Sequence, residues 1–472
     1  LADFHDEPRR DLTLAHATSL VVGIIVGTGI FLKSATMAQE TGTPVLVLAA
    51  WVVAGLVALF GALSFAELSA LLPRAGGEYV YLREAYGEVP GFLYVFNSFL
   101  IGGASLAAYG AAAAIFLGDI YPLGEPWIEH TLYVLGEPFR WQLGPRQAVA
   151  VAIILVFMAI NCAGVAIGGR VQTILTSAKV TAILAVIGGA FFASGSGDWS
   201  NLAPEDARAG GGSGFATAVF AALWAYSGWQ YLPMAASEVR DPERNLPRAI
   251  IGGTLLVLGL YLLVNLAFLY ALPFTQVATA NSTAHPDAPS VAARAVQSFL
   301  GPQAAAAAAL VFLISTIGSL NGALLGRARV PYAAARDGLF FSRFGRLHPR
   351  SRVPAMSVVL VSLWAVLLAL SGTFDQLTNM SVLSYAVFWI PVALAVIVLR
   401  RRNPQAIRHY RTAGYPWVPL LFAGVMLWIV VNAFVTSPIQ SFATLALILL
   451  GLAFYPIFRA RERPAATRAP TS

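Results

Sequence analysis

Twelve apolar runs, each close to the length that crosses a lipid bilayer, divide the chain: 14–35, 44–71, 91–117, 147–166, 171–194, 215–236, 249–272, 303–326, 355–371, 377–399, 415–436 and 440–458. A bilayer core takes about 20 residues of helix. In lipid only helices and closed barrels satisfy the backbone, so runs of this length predict an all-α polytopic membrane protein of about twelve transmembrane helices. The longest stretches between them are 118–146, 195–214, 273–300 and 327–354. None reads as an interdomain linker, and residues 1–472 are expected to form a single transmembrane domain.

Composition agrees: 58% of residues are hydrophobic and 11% charged, against about 25% charged in globular chains. Charge then supplies orientation, because short cytoplasmic loops are rich in Lys and Arg. With the N-terminus inside, 24 of the 30 basic residues fall on the inner side, and the outer loops keep Lys33, Arg140, Arg146, Arg208 and Arg294. The expectation is a multi-pass protein of the cell inner (plasma) membrane with both termini cytoplasmic. The net charge of +7 is a consequence of topology; its arginines are spread over separate segments, unlike a nucleic-acid-binding face. No cleavable signal peptide is expected, since the first apolar run is long and lacks a cleavage-type end. Glu67, Glu78 and Glu84 stand near inner span ends and are expected to pair with arginines. The Arg327 to Arg352 loop reads as an inner-face anchor of solvated arginines and short helices. The segment Glu238 to Arg248 reads as a structural loop, with an inner gate formed with the N-terminal tail as the alternative.

Reagents for enzyme chemistry are missing. Cys162 is the single cysteine, the six histidines are scattered without HExxH spacing, and no Ser, His and Asp set converges. Neither metal nor cofactor is expected, the chain does not read as an enzyme, and a disulfide to a partner in the outer loops has no cysteine to use.

Chemistry is therefore sought where helices break. Residues 21–31 read VVGIIVGTGIF, three glycines and a threonine near mid-span; glycine costs up to about 1 kcal/mol against alanine in a helix interior. Gly23 and Gly27 alone would suit close helix packing, but Thr28-Gly29 adds a step that favours unwinding. The sixth run repeats the theme at Trp224-Ala225-Tyr226-Ser227-Gly228. Two interrupted spans, five apart and opposite in direction, are what an inverted five-helix repeat predicts: 12–195 and 214–400, with 414–460 appended. A half-helix starting near Thr28 offers the amides of Thr28, Gly29 and Ile30 to a carboxylate. Carbonyls of Ile25, Val26 and Gly27 and those around Trp224 and Ala225 suit an ammonium. Together they describe an α-amino acid, and the absence of acidic side chains at either break favours a neutral one.

The fifth run carries a second anomaly. Of 30 basic residues 28 are arginine, yet Lys179 sits inside VQTILTSAKVTAILAVIGGAFFAS. A lysine at a helix centre costs about 2.5–3.5 kcal/mol on insertion scales and usually marks a pathway or a partner. Snorkelling to the interface is the bland alternative, but eight residues beyond Val171 is roughly 12 Å at about 1.5 Å per residue, beyond the reach of a lysine stem.

At these residues the chain resembles a known family. VGTGIF (Val26 to Phe31) resembles the first-helix motif of the amino acid-polyamine-organocation (APC) superfamily, and WAYSGWQYLPMAASEVRDPERNLPRAI (Trp224 to Ile250) resembles the sixth helix and following loop of its L-type amino acid transporter (LAT) branch, prokaryotic type. NCAGVAIGGRVQTILTSAK (Asn161 to Lys179), DWSNLAP (Asp198 to Pro204) and GSLNG (Gly318 to Gly322) follow in the branch's order. The resemblance implies a LeuT-like fold of five-plus-five inverted repeats with two additional helices, alternating access, and a pocket between helices 1, 3, 6 and 8. It implies that Lys179 takes the place of a bound sodium ion, with Ser315 and Ser319 as its neighbours, and that Tyr261 contacts helix 1. Trp224 stands at the gate over the ligand where the family usually has phenylalanine, and Ser227 stands where glycine is frequent. Both reduce pocket volume, which favours small or medium neutral amino acids. The substrate-binding set is then Ile25, Val26, Gly27, Thr28, Gly29, Ile30, Trp224, Ala225, Ser227 and Gly228. Eukaryotic members of the branch join a heavy subunit through an outer-loop cysteine; this chain has none, so no disulfide-linked subunit is expected.

Two mechanisms stay open. A permanently protonated Lys179 makes a sodium-independent exchanger (antiporter); a lysine that releases and regains its proton makes a proton-coupled symporter. An amino-acid sensor or channel on the same scaffold is the alternative of another class, although a channel is expected to show a ring of charges or carbonyls and a sensor an effector surface.

Overall fold

Helices follow the apolar runs and stop where glycine gathers. The computed structural model describes residues 8–134, 137–193, 195, 197–203, 212–282, 284–285, 288–301, 304–371, 374–436 and 438–461. Helix α1 (Leu14–Ile25) starts from a capping box in which the Thr13 hydroxyl accepts from the His16 amide and the His16 ring accepts from the Thr13 amide. It ends at Val26, and α2 (Gly29–Thr41) resumes the same span before closing at Gly42, whose φ of 69° is in the left-handed region. A Thr43 cap and Pro44 then launch α3 (Pro44–Leu71).

A short α4 (Glu78–Tyr86) precedes a third span made of α5 (Glu88–Leu100) and α6 (Gly102–Ile120), which step at Ile101. Strands β1 (Ile128–Val134) and β2 (Glu137–Leu143) pair antiparallel with Ile128 opposite Leu143, a hairpin in the stretch 118–146 between spans that the all-α reading of the chain did not contain. Helices α7 (Pro145–Ala163) and α8 (Val165–Phe192) are separated by Gly164 alone. The sixth span is again split, into α9 (Gly212–Ala225) and α10 (Tyr231–Met234). There follow α11 (Pro242–Ala271), α12 (Phe274–Ala278), α13 (Val291–Leu300), α14 (Ala304–Arg327), α15 (Arg329–Arg336), α16 (Ala355–Ser371), α17 (Phe374–Arg402), α18 (Trp417–Thr436) and α19 (Pro438–Arg461).

Among the described residues nine helical segments are long and apolar enough to span a membrane, and three shorter apolar helices, α1, α9 and α16, supply the remaining crossings. Two of the three are short because their spans are broken. The fold is thus an all-α polytopic bundle apart from the small hairpin. Helix α1 packs on α8, α11 and α14, and α9 packs on α2 and α3, so the two interrupted spans lie side by side at the centre.

The face that carries the chain's first described residues is tied shut. The Leu12 amide donates to the Glu238 carbonyl at 2.9 Å, and the Arg240 amide donates to the Leu12 carbonyl at 2.9 Å. Beneath this bridge Arg329, 1% exposed, grips both Glu238 oxygens at 2.9–3.2 Å. Glu67 binds Arg400 at 2.7 and 2.8 Å, and Glu84 pairs with Arg74. Glu78 departs from that pattern, with its Oε2 buried and without a hydrogen-bond partner. The reading of 327–352 as solvated arginines is corrected at its first two members: Arg327 and Arg329 are both 1% exposed, because Gly102 leaves room for the first and the buried Glu238 carboxylate pairs with the second.

Candidate substrate site at two helix breaks

Where α1 ends, its last carbonyls lose their intrahelical partners, and side chains from three other helices replace them. Lys179 of α8 is fully buried, and its Nζ donates to Gly23 O at 2.7 Å, Val26 O at 2.9 Å and Ser315 O at 2.7 Å. The ammonium reaches neither face. Helix α8 begins at Val165, six residues before the apolar run suggested, which puts Lys179 at mid-helix. Ser315 Oγ donates to Val26 O at 2.8 Å, and Ser319 Oγ lies 3.1–3.4 Å from the carbonyls of Gly23, Ile24 and Ser315. From α11 the Tyr261 hydroxyl lies 2.8 Å from Ile25 O and 3.2 Å from Ala225 O, a contact to both breaks at once.

The breaks touch through glycine. A Cβ on Gly29 would stand 2.6 Å from Ala225 Cβ, and one on Gly228, whose φ is 151°, would stand 2.6 Å from the Ile25 nitrogen. Only glycine allows this approach. Helix α2 starts at Gly29; the Phe31 amide is taken by Thr28 O at 3.1 Å, while those of Gly29 and Ile30 lack helical acceptors and are available to an anion.

Above the contact lies a cavity of about 90 Å³. Ile25, Gly27, Thr28, Gly29, Trp224, Ala225 and Ser227 line it; Val26, Ile30 and Gly228 do not, being turned to the packing and ammonium side. Lys33 Nζ stands 5.3 Å from the centre of the Trp224 ring, a cation–π distance. Of the carbonyls assigned to a ligand ammonium, Ile25 O already takes the Gly27 amide at 2.7 Å and the Tyr261 hydroxyl, and Val26 O takes Lys179 and Ser315. Trp224 O accepts from the Ser227 amide at 3.2 Å and Ala225 O lies 3.2 Å from the Tyr261 hydroxyl, one donor apiece. A second lone pair on each remains for a ligand.

Sequence reasoning missed much of the lining. Ser105, Ala108 and Tyr109 come from α6, Tyr231 from α10, Tyr385, Ala386 and Trp389 from α17, and Phe422, Met426 and Ile429 from α18, which had been counted as an appendage. Helix α14 supplies no lining residue; it stands behind the break through Ser315 and Ser319. The implied pocket between helices 1, 3, 6 and 8 is therefore corrected to spans 1, 3, 6, 10 and 11, with Ala58 of α3. In the sequence these positions are ordinary aromatic and small residues of apolar runs, and nothing local sets them apart.

Two facing helix breaks beside a cavity at the centre of a polytopic bundle are the architecture of a secondary transporter. The chain belongs to the amino acid permease family, whose sequence profile matches residues 12–454. It is 28% identical to the serine/threonine exchanger SteT of Bacillus subtilis (strain 168), over 95% of this chain and 96% of the relative. It is 30% identical to the human cystine/glutamate transporter (95% and 85% covered) and 29% identical to the human b(0,+)-type amino acid transporter 1 (95% and 88% covered). It is thus a member of an amino acid transporter family that includes exchangers.

Proposed function

We propose that this protein is a sodium-independent exchanger of small and medium neutral L-amino acids, working by alternating access in the cell membrane with both termini cytoplasmic. The observation that carries the reading is the Lys179 ammonium held by Gly23, Val26 and Ser315 carbonyls. Unwound carbonyls of this kind are where transporters place a coupling cation. A covalently attached cation leaves no ion to be exchanged with the solvent, so in this reading no ion gradient drives the cycle, and the exchangers among the relatives favour one amino acid returning as another leaves. In this reading the first-turn amides at Thr28, Gly29 and Ile30 take the substrate carboxylate, carbonyls of the two breaks take its ammonium, Trp224 closes over it, and Tyr261 keeps the breaks in register. Neutral substrates are favoured because the lining residues carry no acidic or basic side chain. The small cavity agrees with the serine/threonine exchanger among the relatives. Residues 12–195 and 214–400 form the two inverted repeats, 414–460 the appended pair, and no disulfide-linked subunit is required.

Purified protein in proteoliposomes tests this. Labelled serine is expected to enter only when serine or alanine is inside, without response to sodium or pH gradients. Uptake into empty liposomes driven by an inward proton gradient would replace exchange by symport through Lys179. Absence of counterflow with every neutral amino acid would favour a sensor.

A further inference from the structure

The cavity floor, formed by Tyr231 just after the sixth-span break and by Tyr385 of α17, has behind it a charge that the exchange cycle does not use. Arg327, at the end of α14, is 1% exposed, and among the described residues no carboxylate stands within ion-pair distance of it. Its Nη2 donates to the hydroxyls of Tyr231 at 2.8 Å and Tyr385 at 2.6 Å, its Nη1 lies 3.2 Å from Ser98 Oγ, and its Nε has no partner. Gly102 makes room for it, since a Cβ there would stand 1.8 Å from Nη1. Tyr231 and Tyr385 both line the cavity, as does Ser105 beside them.

Counting hydrogens shows what this floor lacks. Each phenol oxygen accepts from the guanidinium, which strengthens the phenol as a donor in its own right. The oxygens within reach of the two phenol hydrogens are poor acceptors by distance: Tyr231 and Tyr385 stand 3.3 Å apart, and Ser105 Oγ is 3.5 Å from Tyr231. Good O–H···O bonds run about 2.5–3.0 Å. The Ser105 hydrogen is already committed to Gly102 O at 2.8 Å. The floor is rich in donors and short of acceptors, and an acceptor brought by a ligand would complete it.

We infer that the substrate's side chain docks on Tyr231 and Tyr385, backed by Arg327, and that this floor selects amino acids whose side chains end in a hydrogen-bond acceptor. The inference rests on the exchange reading for the placement of the α-amino and α-carboxyl groups at the breaks. Serine, threonine, asparagine and glutamine are then preferred over hydrocarbons of the same shape. The guanidinium itself does not line the cavity, so the ligand meets polarised phenols and a neutral acceptor suffices. The sign of the preference is diagnostic. An apolar pocket favours valine over threonine, because burying an unpaired hydroxyl costs free energy; a pocket with waiting donors reverses the order, leaving its own groups unpaired when valine binds.

Competition against labelled serine counterflow, with threonine and valine as the isosteric pair, tests this in wild type, Tyr385→Phe and Tyr231→Phe. Threonine is expected to inhibit at roughly tenfold lower concentration than valine in wild type, the size of one or two good hydrogen bonds, and the ratio should fall to about one or below in Tyr385→Phe. The ratio is read within each variant, so a lower yield does not affect it. For a variant that does not transport, the same pair is compared by ligand-induced shifts in melting temperature in detergent. Valine ahead of threonine in wild type, a ratio unchanged in both variants, or no stabilisation by either ligand overturns the inference. Threonine-selective stabilisation without any counterflow overturns the exchange reading and leaves the floor standing.

Discussion

Replacing Lys179 by methionine removes the ammonium while keeping most of the side chain's length, and the local bonding fixes what must follow. Three hydrogen bonds from a charged donor are lost, at about 1.5–3 kcal/mol each. Against them stands relief from burying an ion, itself several kcal/mol. The acceptors are not all abandoned. Val26 O keeps the Ser315 hydroxyl at 2.8 Å, while Gly23 O and Ser315 O share the single hydrogen of Ser319, at 3.3 and 3.1 Å. Ser315 O also keeps the backbone amide of its own helix, so Gly23 O is the one carbonyl that depends on the Ser319 hydroxyl, and losing it would cost about 1–3 kcal/mol. The balance is therefore small for the fold and large for the break: the protein should insert, purify and elute as a single species, while the broken end of α1 loses its link to α8 and is held only by the Ser315 and Ser319 hydroxyls of α14. Serine counterflow is expected to fall at least about tenfold, equivalent to ~1.4 kcal/mol of lost positioning. Wild-type exchange in a monodisperse Lys179→Met preparation would refute the argument that the ammonium substitutes for a coupling ion.

Two further predictions follow from neighbouring contacts. Gly318→Ala puts a methyl 3.0 Å from Lys179 Nζ and 3.1 Å from its Cε; the lysine must give by a few tenths of an ångström against its short bonds, and counterflow should drop part of the way to the Lys179→Met level, with wild-type rates counting against the tight seat. Arg329→Met strands the fully buried Glu238 carboxylate, at about 3–5 kcal/mol. Its melting temperature in detergent should fall below that of the double variant Glu238→Gln/Arg329→Met, and an equal loss in both would show that the ion pair is not what seals this face.

Part of this site could be read from the chain because it breaks local rules. Glycines at 23, 27 and 29 inside an apolar run, and a lysine in a nearly lysine-free sequence, are anomalies visible without a fold, and they mark the first break and its ammonium. The sixth-span break was legible for the same reason at Ser227-Gly228. The cavity floor was not. Arg327 ends an apolar run and begins a polar one, where a charge normally means the interface; its burial depends on Gly102, 225 positions earlier, whose missing side chain admits the guanidinium. Tyr231, Tyr385 and the α18 residues look like packing aromatics until spans 6, 10 and 11 are brought together. The hairpin of 128–143 escaped a search tuned to helical spans. The buried cations Lys179 and Arg327 also explain each other's identity. Around Lys179 three carbonyls converge at 2.7–2.9 Å on one point with Gly318 pressed against it, a seat for a compact ammonium. Around Arg327 the acceptors are spread over Ser98, Tyr231 and Tyr385, a separation that a planar fork of donors spans and a single ammonium does not. A chain that writes 28 of its 30 basic residues as arginine keeps lysine at the buried seat where the acceptors meet at a point.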